Sequence, residues 1–237
     1  MKHIFIDIGA HIGESVEIAT SRKYNFETIL AIEPSVHSQK YLSKYRDKRI
    51  QIEKFGLGFS NRKTILHGAG SVGASIYEEK VPYWSINEVI EIKKFSEWYK
   101  AKIDTNSLVW IKLNIEGAEY EIIQELNLID VKNIVSILIS FDVDKIPSMK
   151  DTKPFLLKIL KNDLKVEYIE RTEDLDVKSW LDSFSALRNN LSLFPYLINS
   201  LRLDIPLTRN FRRIIRPLAP KKIWLFLALN FGPNRKR

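Results

Sequence analysis

The chain has 237 residues, 45% hydrophobic and 28% charged, with nine Gly, nine Pro and no Cys. That length supports one large domain, or a domain with an appendage, around a sizeable core. The composition excludes collagen-like and wholly disordered chains, and the lack of cysteine excludes disulfide frameworks, thiolate metal sites and cysteine nucleophiles.

In chain order, residues 3–8 (HIFIDI) predict a short, continuously apolar strand of the kind buried on both faces of a parallel sheet. GAHIG follows, then a helix through about Arg22. TILAIEP (28–34) predicts a second buried strand stopped by Pro34, and Ser35 is placed to cap a helix over roughly 36–47. IQIEKF (50–55) predicts a third strand, and a Gly- and Ser-containing stretch (56–75) shows no strong period. KFSEWYKAK (94–102) predicts a helix, LVWIKLNI (108–115) a fourth strand, Ala118–Leu126 a helix, IVSILISFDV (134–143) a very apolar strand, Lys153–Lys161 a helix and LKVEYIE (164–170) another strand. Strands and helices alternating at this spacing predict an α/β fold: a doubly wound, mostly parallel, Rossmann-like sheet over 1–172. The remainder, 173–237, predicts two to four short helices broken at Pro195, Pro206, Pro217 and Pro220.

Charge is uneven. Of a net +8, the segment from Asp176 onward holds twelve Lys/Arg against three acids, which leaves the preceding residues close to neutral. The opening segment is too acidic for a secretory signal, and no apolar run approaches the roughly 18–20 residues of a spanning helix, so a cytoplasmic location is expected.

Ligands of such sheets bind at the carboxyl ends of the strands. At the end of the first strand, Asp7-Ile8-Gly9-Ala10-His11-Ile12-Gly13 combines a tight turn at Gly9 with close helix approach at Gly13. The G-x-x-x-G spacing disfavours a dinucleotide turn, and no Walker lysine is present. Asp7, a lone acid in an apolar strand, is expected to point out at the strand end toward a cation or N–H donors. Glu33 closes the second strand 24 residues after Gly9, near the offset of a ribose-binding acid. S-adenosylmethionine, with a ribose but no pyrophosphate, fits both features. On the fourth strand, period 2 puts Lys112, Asn114 and Glu116 on one face, either as a functional row or as the solvated face of an edge strand. Glu119 and Glu121 follow at the positive end of the next helix.

FIDIGAHIGES, AIEPS and IKLNIEGAEYEII, in this order, resemble the FkbM family of S-adenosylmethionine-dependent methyltransferases, whose pattern is D-x-G-A-x-x-G, then E-P, then K-x-D-x-E-G-x-E. The resemblance covers about 4–142. It implies a cofactor site formed by Asp7, Gly9, Ala10, His11, Gly13, Glu33, Ser35 and Asn114, with Gly56 and Leu57 of FGLGFSN near adenine. It also implies a hydroxyl acceptor on a carbohydrate or another sugar-containing small molecule. Asn114 stands where the family has Asp, and Phe141-Asp142 where Glu followed by an aromatic or His is common.

A substrate hydroxyl must lose a proton to a carboxylate or histidine. The candidates are Glu116, Asp142 and His67. Glu116 is preferred because it ends the polar row and could also bridge to Lys112, so the catalytic set is Glu116, Lys112 and Asp142. No histidine pair has metal-ligand spacing. Asp142 and Asp144 as magnesium ligands are the weaker alternative to a plain strand end, so no metal is expected. In the tail, Arg209, Arg212, Arg213 and Arg216 fall at helical spacing before Lys221-Lys222 and IWLFLALNF. An anionic membrane surface or packing on the body suits residues 209–237 better than nucleic acid does. Membrane binding would suit a lipid-linked glycan at the cytoplasmic face. The alternatives to a carbohydrate O-methyltransferase are an RNA methyltransferase and a methyltransferase-like binding module without turnover.

Overall fold

A six-stranded, wholly parallel sheet in the order β3-β2-β1-β7-β8-β9 forms the centre of the fold, seen in a computed structural model that describes residues 1–80, 86–172 and 175–188. The strands are β1 (His3–Ile8), β2 (Thr28–Ile32), β3 (Ile50–Glu53), β7 (Leu108–Leu113), β8 (Ile134–Ile139) and β9 (Tyr168–Glu170). The helices are α1 (Glu14–Thr20), α2 (Val36–Leu42), α3 (Phe95–Lys102), α4 (Glu119–Glu125), α5 (Lys153–Lys158) and α6 (Val177–Arg188). The predicted doubly wound α/β sheet is therefore present, and its strand order reverses between β1 and β7.

Strand period 2 divides the core into two layers. On one face Ile6 and Ile8 of β1, Ile111 and Leu113 of β7 and Ile137 and Ile139 of β8 pack with Phe95 of α3, Ile122 and Ile123 of α4 and Leu160 after α5. The opposite face carries Phe5 and Trp110, joined through Phe26 at ring-centroid distances of 5.4 and 5.5 Å. Asp7 and Lys112 belong to this second face, one strand step beyond the aromatics. Both flanks of β7 are paired, so the edge-strand alternative for its polar row does not apply.

The stretch 56–75, which shows no strong period in sequence, and the residues before α3, for which the sequence predicts no element, build a second sheet. β4 (Gly56–Gly58) and β6 (Asn87–Lys94) pair in parallel, and β5 (Arg62–His67) pairs antiparallel to β6, giving the order β4-β6-β5. Its own small core is Leu66, Ala69, Ile90 and Ile92.

The chain divides into two compact units, Met1–Lys178 and Ser179–Arg237. The described part of the second is the remainder of α6, where Trp180 and Phe184 meet edge to face. The helices predicted around Pro195, Pro206, Pro217 and Pro220, and the basic segment 209–237, lie outside the described residues. Among the described residues no helix is long and apolar enough to cross a membrane.

Candidate active site

The first strand ends in an obligatory turn. Gly9 has φ +81°, and a Cβ there would lie 1.9 Å from the carbonyl oxygen of Asn114 at the end of β7. Only glycine permits that approach. The N–H groups of Gly9 and Ala10 both donate to the Ile32 carbonyl at 3.0 Å, so the turn is docked on the end of β2. Glu33, the next residue, fastens it: its carboxylate accepts from the N–H of His11 and from the N–H of Ser35, each at 2.8 Å. Burial pushes the Glu33 carboxyl up to about 7 even with those two donors.

Asp7 meets a cation, as expected from sequence, but inside the core rather than out at the strand end, for it is fully buried. Its register partner across β1 and β7 is Lys112, whose Nζ stands 2.9 Å away. The same Nζ donates to the Gly9 carbonyl at 2.6 Å, so one ammonium ties the buried acid to the turn. Burial raises the Asp7 carboxyl against the pull of Lys112.

The predicted polar row stops at Lys112, because β7 ends at Leu113. Asn114 continues the ladder by one bond, its N–H donating to Ile8 at 3.1 Å, and its side-chain Oδ1 is buried without a hydrogen-bond partner. Glu116 then sits in a turn with φ +57°, followed by Gly117 at φ +111°. It bridges to Lys80 rather than to Lys112.

A cavity of about 440 Å³ opens over these strand ends, within the ordinary size of a small-molecule site. Its wall includes Gly9, Ala10 and His11 from the first turn, Glu33 and Ser35 after β2, Gly56 and Leu57 of β4, and Lys112, Asn114 and Glu116 from the end of β7. Gly13 is not on the wall; a Cβ there would strike the Tyr45 ring, and its carbonyl accepts from the Tyr45 hydroxyl at 3.0 Å. Ser35 does not cap α2 with its side chain; its Oγ is buried, unpartnered and on the cavity wall.

A family model described as the methyltransferase FkbM domain matches residues 7–169. The chain belongs to the FkbM methyltransferase family. No curated protein matches it. Among solved structures, it is similar to the crystal structure of methyltransferase FkbM from Methylobacillus flagellatus KT, with 20% sequence identity and a TM-score of 0.43. That alignment covers 68% of this chain and 38% of the other, so the chain spans well under half the length of that protein.

Within this FkbM domain, two of the three residues of the expected catalytic set, Glu116 and Lys112, line the cavity, and Asp142 does not. Asp142 is buried at the start of a turn after β8 and pairs with Lys145. His67 lies on β5, where its backbone pairs with Ser75, and is not on the wall. Asp144 pairs with Lys153, and no group of three His, Asp or Glu among the described residues is arranged to hold a metal ion.

The structure also brings in residues of the FkbM domain that sequence reasoning missed. Lys80 is buried beside Glu116, and burial lowers its ammonium from the usual value. Ser75 Oγ donates to the Glu116 carbonyl at 2.7 Å, so the segment after β5 grips the same turn. Glu119 and Glu121 lie in the first turn of α4, as expected, and their burial makes them clamps as well. Glu119 accepts from the N–H groups of Ile115 and Gly117 at 3.0 Å, and burial, then the neighbouring Asp142, pushes it up to about 7. Glu121 accepts from the Arg62 guanidinium at 2.7 Å and from the Phe59 N–H at 3.1 Å, which joins α4 to the small sheet. No local pattern marks Lys80. The signal for Glu119 was the E-G-x-E spacing, which does not show burial.

Proposed function

We propose that this FkbM domain is an S-adenosylmethionine-dependent O-methyltransferase whose acceptor is a hydroxyl of a carbohydrate or glycan-containing molecule. The observation that carries the reading is the pairing, on one cavity wall, of a buried carboxylate at the end of β2 with a buried, unpartnered acceptor at the end of β7. Glu33 retains lone pairs beyond its two N–H partners and suits the two hydroxyls of a ribose. Asn114 Oδ1 lacks a donor and suits an ammonium group, and its neighbour Gly9 allows close backbone approach. The cofactor supplies a methyl group already activated on a positively charged sulfur, so the chain must align an acceptor and exclude water.

Glu116 is the wall carboxylate suited to accept the proton of an acceptor hydroxyl, and Lys80 holds it. Lys112 and Asp7 keep the Gly9 turn in place rather than moving protons. Asp142 acts on the site through the field it exerts on Lys80 and Glu119. The carbohydrate acceptor rests on the family pattern. The basic surplus after Asp176 supports a cytoplasmic enzyme working at an anionic membrane surface, where a lipid-linked glycan would be within reach.

Incubating the purified chain with S-adenosylmethionine and a glycan panel, then scoring products by mass spectrometry for a methyl increment, tests the proposal. Methylated glycan is the expected product. Transfer to RNA with none to glycans would overturn the acceptor class, and binding without any transfer would overturn the enzymatic reading.

A further inference from the structure

We infer that Arg171 is the anion-binding residue of the cavity and that its ligand is a carboxylate carried by a bound molecule. The inference deepens the adenosyl reading and rests on it.

Arg171 is the first residue after β9, and its N–H donates to the Ile139 carbonyl at 2.7 Å, which pins its backbone to the end of β8. Its exposed side chain is part of the cavity wall. The other charges there are largely committed. Lys112 serves Asp7 and the Gly9 carbonyl, Glu116 serves Lys80, and Glu33 serves two backbone N–H groups. Glu14 and Asp176 also line the cavity, yet Arg171 forms no ion pair among the described residues. It is thus the wall cation left to meet an anion from outside.

Its place along the sheet fits the far end of a ligand whose sugar lies at Glu33. Glu33 follows β2 and Arg171 follows β9, four strand steps apart in the order β2-β1-β7-β8-β9. At about 4.8 Å per step that is roughly 19 Å, a span shared between an extended ligand and a long arginine side chain. The charge of Arg171 helps to lower the Asp7 carboxyl against burial, so its side chain lies within electrostatic reach of the end of β1. A planar guanidinium presents two parallel N–H groups that match a carboxylate. The carboxylate has two sources: the amino-acid end of the cofactor, or an acidic sugar acceptor.

Calorimetric titration of the full chain with S-adenosylhomocysteine and with 5′-methylthioadenosine, which lacks the amino-acid end, tests this. Arg171→Gln is expected to weaken S-adenosylhomocysteine by about 10- to 100-fold while changing 5′-methylthioadenosine by less than about twofold. Arg171→Lys keeps the charge without the fork and should fall between. If S-adenosylhomocysteine is unaffected but glucuronate binding to the S-adenosylhomocysteine-saturated protein is lost in Arg171→Gln, the site stands and the anion is the acceptor's. Unchanged affinity for all three ligands, or an equal loss for both nucleosides, would overturn the inference. If neither nucleoside binds the wild-type chain, the adenosyl reading itself fails and takes this inference with it, whereas a failure confined to the Arg171 variants leaves that reading intact.

Discussion

Lys112 and Asp7 are register partners on adjacent parallel strands, and their side chains form a buried ion pair, 2.9 Å from nitrogen to oxygen, directly beneath the Gly9 turn. A single ammonium thereby neutralises an acid in the core and holds the carbonyl of the turn that borders the cavity. Removing it leaves a buried carboxylate without its counter-charge.

Lys112→Met should destabilise the fold by about 3–5 kcal/mol. The Asp7 carboxyl is already raised by burial, and loss of Lys112 raises it further. A raised acid contributes stability below its unfolded value and loses it as pH rises, so the variant should be weaker at pH 8 than at pH 5. Urea unfolding at both values checks this, and the double variant Asp7→Leu/Lys112→Met should recover much of the loss.

Gly9→Ala places a methyl group 1.9 Å from the Asn114 carbonyl oxygen at a backbone conformation that disfavours side chains. The turn must move, at a cost of roughly 2–4 kcal/mol. Thermal unfolding should shift down, and binding of S-adenosylhomocysteine should fall below detection in the fraction that folds.

Much of this site was legible in the sequence because it is local. The Asp7–Gly9–Gly13 spacing, and an acid closing an apolar strand at Glu33, each lie within a dozen residues and obey strand-end chemistry. The inner strands β1, β2, β7 and β8 were legible for the same reason: a strand buried on both faces is a mostly apolar run. The small sheet was not. β5 (RKTILH) and β6 (NEVIEIKK) are half exposed and rich in charge, and Ile65 opposite Val89 turns an apolar pair to solvent. The burial of Asp7 is not legible in the sequence, because its counter-charge lies 105 positions away on β7 and pairing register is not local information. Lys80 was invisible for the same reason, since a turn delivers it to Glu116 across 36 residues.

Glu116→Gln removes the wall carboxylate and keeps its size. It should lower kcat by about 10²- to 10⁴-fold while S-adenosylhomocysteine affinity changes by less than about threefold, because Glu116 is given no role in holding the cofactor. Steady-state kinetics with an acceptor glycan, together with calorimetry, separates the two effects. An equal loss of binding would return Glu116 to a purely structural role.

Glu33 and Glu119 are both pushed from an ordinary 4.5 to about 7 by burial. Each keeps a proton in the folded state that the unfolded chain has released, so the stability each provides is complete below about pH 4.5 and lost as pH rises through about 7. For each group this is worth about 3 kcal/mol at most. Chemical denaturation between pH 5 and 8 should therefore show falling stability, with a shallower slope in Glu33→Gln. Ribose hydroxyls donate best to the ionised Glu33 carboxylate, so affinity for S-adenosylhomocysteine should move the other way and rise from pH 6 to pH 8.

A crystal structure of the chain with S-adenosylhomocysteine tests the central claim most directly. A nucleoside is expected in the cavity over the Gly9 turn, with both ribose hydroxyls about 3 Å from the Glu33 carboxylate and the ammonium group on Asn114 Oδ1. A nucleoside bound away from Glu33, or a cavity that stays empty at saturating ligand, would contradict it.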